Sequence, residues 1–81
     1  MKKEQIMKHI TEILKKKRGD ILFDENIELS EQMSSIEIIE FVAEIEDFYD
    51  TFFDDEDIVK FNGTITDIVT FLQTKELNIN G

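Results

Sequence analysis

The chain has 81 residues, 41% of them hydrophobic and 35% charged, with a net charge of −10 and no cysteine, proline or tryptophan. One domain spanning residues 1–81 is expected, too small for a sizeable enclosed active site; disulfides and thiolate metal sites are excluded, and no apolar run reaches the roughly 18 residues of a membrane span. A body this acidic would repel nucleic acid, and with no signal-like apolar core at its N-terminus a cytoplasmic protein without membrane insertion is expected, its partners carrying basic patches.

The first helix is predicted from Gln5 to Lys17, where Ile6, Ile10, Ile13 and Leu14 fall on one face. Lys15, Lys16, Lys17 and Arg18 complement the negative end of its dipole, and Gly19 is the stop signal. That dipole role is favoured over a binding patch. Residues 1–18 carry a net charge of +5 and residues 19–81 a net charge of −15.

From Gly19 to Met33 neither a helical nor a strand period holds. Ile21, Leu22, Phe23, Ile27, Leu29 and Met33 are nonetheless too apolar for a solvated linker, so a long loop pinned to the core is expected. The next helix is predicted from about Ser35 to Tyr49, with Ile36, Ile39, Val42, Ala43, Ile45 and Tyr49 turned inward. Ile38, Phe41 and Phe48 widen that stripe, and for Ile38 and Phe41 core burial and partner contact are equally open. Glu37, Glu40, Glu44 and Asp47 form an acidic ridge on the opposite side, suited either to water or to a basic partner.

Asp54 to Asp57 open a helix of one or two turns that Asn62-Gly63 ends. Thr64 and Asp67 make a capping pattern, with Thr64 as the cap of a last helix whose inner face is Ile65, Ile68, Val69 and Leu72. A frayed tail is expected over about 76–81. These elements predict an all-α fold, a small antiparallel four-helix bundle of three main helices and one short one.

The chain offers little to catalysis. His9, the single histidine, has no cysteine or second histidine beside it and reads as an ordinary surface residue; glycine-rich phosphate loops are missing. The four acids of Asp54–Asp57 could attract a divalent cation weakly, but they lack the EF-hand pattern and point in different directions, so no metal site is assigned. Ser34 and Ser35 differ in role. Ser34 can cap the helix by accepting from a downstream N–H, which leaves Ser35 exposed at the positive end of the dipole, where a phosphate ester would be stabilised. Such a serine beside an acidic helix suggests a carrier rather than a catalyst.

The run Ser34-Ser35-Ile36-Glu37-Ile38-Ile39-Glu40-Phe41-Val42-Ala43-Glu44-Ile45-Glu46-Asp47-Phe48-Tyr49-Asp50 resembles the Asp-Ser-Leu motif and following acidic helix of the acyl carrier proteins, the phosphopantetheine-dependent carrier family. Thr51 to Phe61 resembles that family's loop and short third helix, and Thr64 to Leu72 its last helix, so the similarity covers nearly the whole chain. The resemblance implies that Ser35 bears a covalent 4′-phosphopantetheine arm whose thiol holds an acyl or related intermediate as a thioester, for fatty acid, polyketide or related biosynthesis. It implies a monomer that is not itself an enzyme and is loaded by a phosphopantetheinyl transferase. Glu37, Ile38, Glu40, Phe41, Glu44 and Asp47 would form its docking surface for synthase or acyl-transferring enzymes.

Four positions depart from the family pattern. Ser34 stands in the place of the aspartate and brings no charge for a basic transferase. Ile36 replaces the leucine at conserved volume, Gln32 replaces a frequent glycine, and Phe53-Asp54 lacks the usual proline. The alternative is a non-enzymatic interaction module of the same fold that is not phosphopantetheinylated.

Overall fold

In the computed structural model residues 2–75 are described; the tail expected to fray over about 76–81 lies outside the described residues. Five α-helices follow in order: α1 (Lys3–Lys17), α2 (Leu29–Gln32), α3 (Ser35–Tyr49), α4 (Asp55–Val59), which runs into a 3-10 turn at Lys60–Asn62, and α5 (Ile65–Thr74). The expected all-α class holds. Among the described residues the extended pairing is an isolated antiparallel bridge, Glu28 to Thr64, where Leu29 N–H donates to Gly63 O at 2.8 Å.

Capping sets most of these boundaries. Ser34, Asp54 and Thr64 each accept a hydrogen bond from the backbone N–H three residues on, and Glu37, Asp57 and Asp67 reach back to the cap's own N–H. Gly63 permits the tight start of α5, since a Cβ there would lie 3.0 Å from the Asp67 carboxylate. The loop predicted over 19–33 contains the short α2, too brief to show a helical period. It starts where Glu28 N–H donates to Glu31 Oε2 at 2.8 Å.

The core is shared among all parts of the chain. Ile6, Ile10 and Leu14 of α1 meet Ile65, Ile68, Val69 and Leu72 of α5, while Leu29, Met33, Phe53 and Phe61 close the ends. Phe41, Phe53, Phe61 and Phe71 form a chain of edge and tilted contacts with ring centroids 5.2–5.9 Å apart, arrangements that add to plain burial.

Helix α3 is rotated relative to the inward stripe expected from sequence. Its buried residues are Ile38, Phe41, Val42, Ile45 and Tyr49, whereas Ile36 is 72% exposed, Ile39 60% exposed, and Ala43 also faces solvent. At about 100° per residue, these five buried positions fall within a narrow sector, and Ile36, Ile39 and Ala43 lie on the far side. Tyr49 is inward in either phase; burial of the Phe41 ring, set edge-on against Phe61, favours the observed one.

Candidate functional site

The head of α3 gives its two serines different work. Ser34 Oγ accepts from Glu37 N–H at 3.2 Å, and Glu37 Oε1 accepts from Ser34 N–H at 3.0 Å, closing the capping box. Ser35 is the first helical residue, lies outside the box and is exposed. Its hydroxyl therefore faces water at the positive end of a fifteen-residue helix, a setting that favours a phosphate ester.

Arg18 fixes the junction in front of Ser35. Its guanidinium donates to Gln32 O at 2.6 Å, forks onto the Asp20 carboxylate at 3.1 and 2.9 Å, and lies 3.5 Å from Glu37 Oε1. Gln32 pairs in turn with the Leu22 backbone, accepting from its N–H at 2.7 Å and donating to its carbonyl at 2.9 Å. The residue in place of the family's glycine thus ties the long loop to α2. The Ser34 N–H bond, with help from Arg18 and Lys17, holds the Glu37 carboxyl below its ordinary range.

The expected docking set divides in the structure. Ile38 is 4% exposed and Phe41 fully buried, so both belong to the core and neither can contact a partner without unfolding; this corrects their assignment as docking residues. Ile36 and Ile39 are instead the exposed isoleucines of this helix. Glu37, Glu40, Glu44 and Asp47 follow one side of the helix, and Lys17 crosses to them, with Nζ 3.2 Å from Glu44 and 3.9 Å from Glu40. Outer α3 therefore carries an acid stripe on the α1 side and an apolar stripe, Ile36, Ile39 and Ala43, farther round.

Lower on α3, a groove of about 440 Å³ runs between it and α1, lined by Ile13, Lys16, Lys17, Glu44, Asp47 and Phe48. Beyond it sits His9, which is half-buried rather than an ordinary surface residue. Its Nδ1 is 2.9 Å from Tyr49 Oη and its ring centroid 4.6 Å from that of Phe48, while burial pushes the Tyr49 phenol up to about 12. This contact pins α1 to the end of α3. Sequence spacing could not show it, because the partners are forty positions apart.

Two of the carboxylates of 54–57, Asp54 and Asp57, are engaged within the fold. Asp54 and Asp57 cap α4 reciprocally at 2.9 and 3.3 Å, and Asp57 Oδ2 pairs with Lys75 Nζ at 2.7 Å. Among the described residues no three His, Cys, Asp or Glu side chains converge as a metal site, and no helix is long and apolar enough to cross a membrane.

A small helical bundle with an exposed serine at the first turn of an acidic, partly apolar helix defines a carrier-type domain, with its reactive group added rather than built in. Residues 4–72 match the family model described as the phosphopantetheine attachment site. The chain is also 32% identical over 79 residues to an acyl carrier protein of Exiguobacterium sp. strain AT1b, covering 93% of this chain and 99% of that protein. No solved structure matches it. The chain belongs to the phosphopantetheine-dependent carrier family, whose prosthetic group is covalent 4′-phosphopantetheine. Members of this family are carriers, not catalysts, and work with a phosphopantetheinyl transferase and with synthase or transferase enzymes.

Proposed function

We propose that Ser35 is the attachment residue and that this protein carries acyl or related intermediates in fatty acid, polyketide or related biosynthesis. The observation that carries the reading is the division of labour at the head of α3: Ser34 completes the cap, and Ser35 is exposed beside it. The arm supplies a thiol that holds its cargo as a thioester. The chain's own residues do the rest. The positive end of the α3 dipole would stabilise the arm's phosphate, the Arg18–Gln32–Leu22 contacts hold the approach to Ser35, and outer α3 offers acids and apolar groups to a basic partner.

Among the described residues no histidine or carboxylate is bonded to Ser35, so its proton is removed by a base of the transferase. Ser34 leaves that enzyme without an acid immediately before the serine; Glu37 and Asp20, both held below the ordinary carboxylate range, supply negative charge nearby. Residence in the cytoplasm, as a monomer, fits this role.

The test is co-expression with a phosphopantetheinyl transferase followed by intact mass measurement. The wild type gains one phosphopantetheinyl group and Ser35→Ala gains none. An unchanged wild-type mass would favour the unmodified interaction module, and a gain surviving Ser35→Ala would move the attachment elsewhere.

A further inference from the structure

The acid stripe of α3 is already met by cations of its own chain. Lys17 bridges Glu40 and Glu44, and Arg18 faces Glu37, so among the described residues Asp47 is the ridge carboxylate without an ion pair. Lys17 is no ordinary last-turn lysine. Its side chain is only 15% exposed where it lines the groove with Ile13 and Phe48, whereas Lys16, which borders the same groove, is exposed. A lysine present only for the helix dipole would keep its ammonium in water; here the packed stem holds it over the ridge.

We propose that Lys17 is a built-in competitor for the docking face: its ammonium occupies, in cis, the Glu40–Glu44 position that a lysine or arginine of a basic partner takes. Docking then exchanges one cation for another. The inference rests on reading outer α3 as the docking surface and adds how that surface is regulated. First encounter falls to Asp47 and the outer side of Glu40, together with Ile36 and Ile39. Glu44 joins when Lys17 gives way. Because each gained contact displaces an existing one, complexes are weaker and shorter-lived than a bare ridge would form, which suits a carrier that must leave one enzyme for the next.

The test compares Lys17→Met, which keeps an apolar stem and removes the ammonium, with Lys16→Met, which changes net charge equally in the same turn. Each full-length protein is titrated with an octalysine peptide at low salt. Lys17→Met is expected to bind about two- to fivefold more tightly than Lys16→Met, the scale of one surface ion pair, and to lose that excess when combined with Glu44→Gln. Equal affinities would reduce Lys17 to one unit of net charge and overturn the proposal. Weaker binding by Lys17→Met would show that Lys17 positions the carboxylates for a partner, and would overturn it too. Lys17→Gln serves as the second variant where Lys17→Met does not fold. Octalysine needs no arm, so the mass test of Ser35 stands or falls separately.

Discussion

Ser34 and Ser35 are adjacent and chemically alike, yet the two alanine substitutions are expected to separate cleanly. Ser34→Ala removes an N-cap and should cost about 1 kcal/mol, read as a lower urea midpoint, while the phosphopantetheinyl mass gain persists. Ser35→Ala should leave stability within about 0.5 kcal/mol and abolish that gain. Asp50 gives a test in the other direction. It closes α3 with φ 50° and ψ 55°, left-handed backbone that favours glycine, and it places a negative charge at the negative end of the dipole. Asp50→Gly should therefore stabilise the protein by about 0.5–1 kcal/mol, seen as a higher urea midpoint with an unchanged slope. The caps at Ser34 and Thr64 were legible because each depends on a pattern four residues long. His9 and Gln32 were not, since their hydrogen bonds are made with residues brought close only by the fold.

At the scale of the element, α3 shows where periodicity stops deciding. The helix is apolar over two stripes, and Ile36, Ile39 and Val42 satisfy helical spacing as well as Ile38, Phe41 and Ile45 do. The buried stripe is fixed by packing, with Phe41 set against Phe61 at 5.9 Å. Two substitutions read the phase directly. Ile38→Ala should cost about 2–5 kcal/mol through the cavity it leaves, whereas Ile36→Ala should stay within about 0.5 kcal/mol and weaken docking instead. Urea unfolding distinguishes them, and equal costs would contradict the observed rotation. The junction of α4 with the end of α5 adds a pH-dependent element. The hydrogen bond from Lys75 holds the Asp57 carboxyl below its ordinary value, despite the opposing effect of desolvation. A depressed folded value means that stability is fully present above the unfolded carboxylate range near about pH 4 and is lost as pH falls through the folded value. Asp57→Asn should accordingly be less stable than the wild type near neutrality, and the two thermal midpoints should converge on acidification.

At the scale of the whole molecule, the charge asymmetry of the sequence becomes an internal contact. The basic end of α1 folds against the acidic face of α3, through Lys17 and Arg18, and Lys75 reaches back to Asp57. Each pair cancels within itself, so the whole net charge of −10 remains on a body measuring 29 × 25 × 21 Å. Salt acts on both sides of that balance, and distance decides which side wins. The ion pairs span 2.7–3.9 Å, well inside the screening length of about 10 Å at 0.1 M salt, and as surface pairs they are individually weak. Repulsion between acids on different helices acts across the width of the molecule, where the same salt removes most of it. Added sodium chloride should therefore raise the thermal midpoint at neutral pH, measured by circular dichroism; a fall would show that the short ion pairs outweigh the long-range repulsion. Docking to a basic partner should respond with the opposite sign, because there the long-range field attracts. A stability that rises with salt and a partner affinity that falls with it would both trace to the surplus acids left after Lys17, Arg18 and Lys75 have taken their partners.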